Sequence, residues 1–186
     1  SASIPSLAKL RPAPSDTMAA TLTMSWPLQA TLTPLILSIS YGGRRGPRPI
    51  DPEEWAQVEK GLAQRITALN HFLRDVYGEG RILSEGVVPR EMVESAQGYL
   101  PQLRGVVPPG GTYIHVAGID LVRGADDKLV VLEDNIRVPS GVSYVLENRA
   151  VMKRMYPRVF PSVGVRSVDE YPARLRAALT SVAPPT

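Results

Sequence analysis

From Asp51 onward, apolar residues return every three or four positions: Trp55, Val58, Leu62, Ile66, Leu69, Leu73 and Val76. That spacing lays one apolar stripe along about six helical turns and predicts a long amphipathic helix. Its start is marked by Asp51 as N-cap acid, Pro52 at the first helical position and Glu54 at the third. Gly78 and Gly80 end it. A stripe of this length has to be buried against something, and the following residues supply the partner.

A shorter helix is expected over residues 90–97, after Pro89, and "VVPPGGT" (106–112) reads as a turn. "TYIHVAGIDLV" and "KLVVLED" are rich in β-branched and aliphatic residues and are joined by the polar "RGADD", the pattern of a β-hairpin. Two more helices are predicted. One covers 142–156 with Val145, Met152 and Met155 inward. The other covers 167–182 with Ser167 as N-cap. Helices flanking a hairpin predict an α+β fold, an antiparallel sheet packed by helices.

Residues 1–50 differ from the rest. They hold seven of the 18 prolines, and 17–43 contains no charged residue. Neither helical nor strand period persists there. Two readings stand: a loosely ordered arm or linker, or short edge strands around "TLTMSW" and "LILSISY". The expected division is therefore an N-terminal arm over 1–50 and a folded domain over 51–186. Hydrophobic residues at 44% and charged residues at 21% suit a globular core. A net charge of +3, with no basic run longer than Arg44-Arg45, argues against a nucleic-acid surface. The chain has no Cys, so disulfides, thiolate catalysis and Cys-bound zinc are excluded, which suits a reducing cytoplasm. No stretch approaches the ~20 apolar residues of a membrane span, and the start at Ser1 lacks the basic-then-apolar order of a signal peptide.

The second hairpin strand runs straight into Glu133, Asp134 and Asn135. If the turn is centred between Asp126 and Asp127, Asp120 faces Glu133 and Gly118 faces Asn135. Directly opposed residues share a sheet face, so Asp120, Glu133 and Asn135 converge. Opposed like charges repel, and a cation between them relieves this. Hard oxygen donors without His or Cys favour Mg²⁺ or Mn²⁺ over zinc. Two carboxylates and an amide suit Mg²⁺, which fills its other positions with water and phosphate. The other reading is of solvated polar groups at strand ends. A one-residue slip in register would send Asp120 to the far face.

These residues resemble the metal-binding end of ATP-grasp ligases, where an Asp on one strand and a Glu-x-Asn on the next hold Mg²⁺ against ATP. The chain is similar in particular to the circularly permuted ATP-grasp family of bacteria, over roughly residues 52–185. The stretches that carry this are "EWAQVEKGLAQRITALNHFLRDVYGEGRIL", "PPGGTYIHVAGIDLVR" and "LVVLEDNIRVPSGVSYVLENRAVMKRMYP". The resemblance implies a partial ATP-grasp domain with Mg²⁺ (or Mn²⁺) and ATP as cofactors. It implies a cytoplasmic ligase that activates a carboxylate as an acyl phosphate for attack by an amine or thiol. The substrates would be small-molecule or peptide carboxylates and amines, with no nucleic acid or membrane partner. Asp120, Glu133 and Asn135 would be the metal ligands.

Arg137 would grip a phosphate or the acyl phosphate if the strand continues; the alternative is an ion pair with Asp134 or Glu147. The N–H groups at Ser140 and Gly141 would bind an anion, unless Ser140 is a plain N-cap. Residues 1–50 do not match the family, and the sequence has no Walker A motif, no Gly-x-Gly-x-x-Gly and only four lysines. The expectation is a piece of a ligase, carrying the metal side and completed by the remainder. The competing class is a non-catalytic α+β interaction domain with no working ATP site. His71 and His115 read as structural, His115 as mid-strand, and Tyr99, Tyr113 and Tyr144 as core. No Gly-x-Ser-x-Gly elbow is present, which disfavours a serine hydrolase.

Overall fold

The computed structural model describes residues 19–25 (backbone only), 50–124, 126 and 128–184. The long helix, α1, spans Pro52–Tyr77. Asp51 caps it, accepting a hydrogen bond from the Glu53 N–H at 2.8 Å, and Gly78 closes its C-terminus. Trp55, Leu62, Ile66 and Val76 of the predicted stripe are buried, and Val58, Leu69 and Leu73 pack against the core. Two short helices follow, α2 (Arg81–Ser84) and α3 (Arg90–Glu94). Gly80 opens α2 at φ 66, a left-handed conformation that suits glycine. The helix expected over 90–97 stops at Glu94. It buries no residue, so little packing energy extends it.

Strand β1 (Ala19–Ser25) lies in the region that admitted two readings, and it covers most of "TLTMSW". "LILSISY" and the rest of 1–49 lie outside the described residues. Strands β2 (Val116–Arg123) and β3 (Leu129–Asn135) form the hairpin. The sheet order is β1-β2-β3, antiparallel throughout, with β2 in the centre. The fold is α+β, an antiparallel sheet packed by helices.

Alternation along β2 sends Ala117, Ile119 and Leu121 to one face, all 3% exposed or less. They meet Trp55, Leu62 and Ile66 of α1, and Ile114 completes the cluster. Burying a side chain such as Ile66 is worth about 2–3 kcal/mol. Polar contacts fix the direction of α1 across the sheet. Near its start, Glu54 takes two hydrogen bonds from Arg123, at 2.8 and 3.0 Å, at the end of β2. Further along, the Asn70 side chain accepts from the N–H groups of Tyr113 and Ile114, at 2.9 and 3.0 Å, just before β2. So α1 runs antiparallel to β2.

The C-terminal helices are α4 (Val142–Met155), α5 (Val159–Ser162) and α6 (Tyr171–Thr180). Val145 is buried and Met152 half-buried, but Met155 is 64% exposed. The inward stripe steps from Arg149 to Met152 and then four residues to Tyr156, which leaves Met155 outside. Ser167 is not the cap of α6. Its hydroxyl accepts from the Asp169 N–H at 3.1 Å in a local turn, and the helix begins at Tyr171 with Pro172 in its first turn.

Candidate functional site

The hairpin places Asp120 opposite Glu133 and Gly118 opposite Asn135, the register expected from the sequence. Nearer the turn the register differs. Leu121 faces Val131, Val122 faces Val130 and Arg123 faces Leu129, one residue away from a constant register. The shift falls between Asp120 and Leu121, where Leu132 is the extra residue of a β-bulge. The turn is therefore centred on Asp126, and the bulge restores the pairing at the acid end. Leu132 and Glu133 are both exposed, as two successive bulge residues leaning to the same side would be.

Asp120, Gly118, Glu133 and Asn135 lie on the face of the sheet turned away from α1, because their neighbours Ile119 and Asp134 face the helix. Asp120 and Asn135 are half-buried and Glu133 is exposed. Asp134 has a different task. Arg65 of α1 donates to it at 2.8, 3.0 and 2.6 Å in a bidentate pair. That hydrogen bond holds the Arg65 guanidinium above its ordinary pKa, with the charge of Asp134 adding to it and burial opposing it. Adjacent acids in the sequence thus serve opposite faces: Asp134 ties β3 to α1, and Glu133 faces outward beside Asp120.

The paired carboxylates and an amide oxygen fit a hard divalent cation that takes its remaining ligands from elsewhere. Among the described residues, no group of three or more His, Cys, Asp or Glu side chains is gathered that could hold a metal by itself.

Arg137 does not continue the strand face. β3 ends at Asn135, and Arg137 sits exposed in a bend beyond it. The two acids considered as its partners are engaged elsewhere, Asp134 by Arg65 at 2.6 Å and Glu147 by Arg154 at 3.7 Å. Ser140 is exposed and is not the N-cap of α4. Gly141 holds that position at φ 90, and no side chain caps the helix. Among the described residues, no side-chain hydrogen bond caps the first turn of α4.

His71 is exposed. His115 precedes β2 rather than lying mid-strand, and its buried Nε2 has no hydrogen-bond partner among the described residues. Tyr99 and Tyr113 each stack with Tyr77, at centroid distances of 5.6 and 6.1 Å, whereas Tyr144 is 75% exposed and not core. The roles of Arg65, Asn70 and Arg123 were not legible in the sequence. Each is a polar residue whose partner lies more than 40 positions away.

Among known families, the model of the circularly permuted ATP-grasp type 2 family matches residues 47–186. An uncharacterized protein of Synechocystis sp. is 52% identical over 139 residues, covering 75% of this chain and 29% of its own length. An uncharacterized protein of Mycobacterium tuberculosis is 49% identical over 137 residues, covering 74% and 25%. A Frankia casuarinae protein with a provisional glutamate–cysteine ligase name is 43% identical over 141 residues, covering 74% and 16%. The chain thus spans between about a sixth and under a third of the length of these relatives. No helix among the described residues is long and apolar enough to cross a membrane.

Proposed function

The chain belongs to the circularly permuted ATP-grasp type 2 family, and from that premise we propose that it carries the Mg²⁺-binding half of an ATP-dependent carboxylate–amine (or thiol) ligase. The observation that carries this reading is the register that pairs Asp120 with Glu133 and sets Asn135 on the same face. Two carboxylates and an amide on one face supply hard oxygen donors of the kind Mg²⁺ takes from a protein.

When bound, Mg²⁺ (or Mn²⁺) supplies positive charge to the phosphate oxygens of ATP. Asp120 and Glu133 would hold it through their carboxylates and Asn135 through its side-chain carbonyl. The carboxylate substrate takes the γ-phosphoryl group of ATP, releasing ADP. The amine or thiol then displaces phosphate from the acyl phosphate. Arg137, exposed past the strand end, would grip the phosphate or acyl phosphate with its two-pronged guanidinium. The N–H groups at Ser140 and Gly141, where α4 starts without a side-chain cap, would receive an anionic oxygen.

The substrate class is a small-molecule or peptide carboxylate with an amine. The ligase name carried by the Frankia relative is in keeping with this. A bacterial, cytoplasmic setting belongs to the same proposal, as does a boundary at about residue 50, with the preceding segment lending β1 to the sheet of the partial ATP-grasp domain. The test is thermal unfolding with and without Mg²⁺ plus ATP, beside Glu133→Gln. Ligand at about 100 times its dissociation constant adds about 2.7 kcal/mol to the wild type. The variant is expected to gain nothing. A wild type that is equally indifferent to Mg²⁺-ATP overturns the reading for this chain.

A further inference from the structure

We propose that Arg65 is a positioning residue for the candidate metal site, acting through Asp134 to hold the hairpin register that turns Glu133 and Asn135 outward. The inference rests on the Mg²⁺ reading above and adds to it a residue from the opposite face of the sheet.

Two registers are open to the end of β3. Next to the turn, Leu121 faces Val131. Continued without a bulge, that register would set Leu132 opposite Asp120, Glu133 opposite Ile119 and Asn135 opposite Ala117. Ile119 and Ala117 belong to the face packed on α1, so Glu133 and Asn135 would turn inward and Asp134 outward. The bulge at Leu132 reverses this. The two carboxylates and the amide share a face only in the bulged register.

Most of β3 does not choose between the two. Leu129 and Val131 precede the bulge and pack against the core in either register. The choice falls to the residues beyond it, Asp134 and Ile136. Ile136 packs against the core, and Asp134 receives three hydrogen bonds from Arg65, at 2.8, 3.0 and 2.6 Å. A bidentate guanidinium fixes the direction of a carboxylate as well as its position. Arg65 is itself held, because Leu62 and Ile66 on either side of it in α1 are buried. Asp134 lies between Glu133 and Asn135 in the chain, so tying it to α1 sends both neighbours the other way. A partly solvated ion pair contributes little to folding. It can still decide between two registers that bury the same Leu129 and Val131.

The test uses the full chain, followed by NMR without metal and then titrated with Mn²⁺–ATP, whose unpaired electrons broaden nearby amide signals. In the wild type, cross-strand contacts should join Asp120 to Glu133, and broadening should centre on 120 and 133–135. Arg65→Gln, and independently Asp134→Asn, should fold and show a second set of contacts joining Asp120 to Leu132. Their affinity for Mn²⁺–ATP should fall about tenfold, the low end of what losing a ligand's supporting partner costs. The exchanged pair, Arg65→Asp with Asp134→Arg, should restore the wild-type contacts and an affinity within about threefold of wild type. Single variants that keep the wild-type contacts and affinity overturn the inference and leave the metal reading standing. So does an affinity loss with unchanged contacts that the exchanged pair fails to restore. A wild type that Mn²⁺–ATP does not broaden at 120 and 133–135 overturns the metal reading itself, and the role of Arg65 with it.

Discussion

The α1–sheet layer and the α4–α6 segment are built on different terms. In the first, seven buried residues form one cluster: Trp55, Leu62, Ile66, Ile114, Ala117, Ile119 and Leu121. In the second, the buried cluster is Val145 and Val168, with Val142 and Leu146 beside it. A cation takes part of the place of a larger apolar core there. Arg149 is 5% exposed, with its guanidinium 5.6 Å from the centre of the Phe160 ring. Burial pulls its pKa down, and the charge of Asp169 pulls the other way. The lesson is that one chain can hold a rigid platform by area and an adjoining segment by a few specific contacts. The candidate ligands Asp120, Glu133 and Asn135 stand on the platform, while Ser140 and Gly141 stand at its junction with the second region.

Deleting side chains from the two regions should separate them most clearly. Ile66→Ala is expected to cost about 3–4 kcal/mol, and Val145→Ala about 1–2 kcal/mol, by urea unfolding. Equal costs would mean one shared core and would break the comparison. Next in size, Arg65→Ala should cost about 1 kcal/mol or less, because its pair with Asp134 is bidentate but partly solvated. A much larger loss would show that α1 is held to β3 by this pair rather than by area.

A smaller effect, of opposite sign, concerns the opposed acids. Without divalent cation, Glu133→Gln should stabilise the chain by about 0.5 kcal/mol, because it relieves like-charge repulsion across the strands. Saturating Mg²⁺ should reverse the order of wild type and variant. If Glu133→Gln destabilises the metal-free chain, the carboxylates are not in conflict.

The smallest effect lies in the hairpin turn. The Lys128 side chain, through a hydrogen bond, holds the Asp126 carboxyl below its usual range, and the Lys128 backbone N–H adds to this. A carboxyl with a depressed folded-state pKa contributes stability that is present above its unfolded pKa. That stability is lost as pH falls through the folded value. Asp126→Asn should therefore lower Tm slightly at neutral pH and not at all at pH 2. A difference that persists at pH 2 would rule out the charge as the cause.

The long helix was legible because its signal is redundant. Seven apolar positions at one spacing, an N-cap acid, a Pro and two glycines agree, and Pro52–Tyr77 followed. The pairing of Asp120 with Glu133 was also legible, although the actual turn centre, which shifts the register by one residue, would have broken it. Leu132 corrected the error by bulging, and an aliphatic residue in a run of four carries no mark of that. At the C-terminal end the signals were weak. Met155 and Met152 look alike in sequence, and a four-residue step from Met152 to Tyr156 decided which one faced inward.

By itself, the sequence determined the periodic elements, the α+β class and which hard-oxygen side chains share the outer face of the hairpin. Those follow from local backbone geometry, with its periods of 3.6 and 2. Only the tertiary structure decided that Asp134 ties to Arg65, that Arg123 ties to Glu54 and that Arg137 leaves the strand. Each depends on residues far apart in the chain meeting at a given distance, and no local pattern encodes a distance.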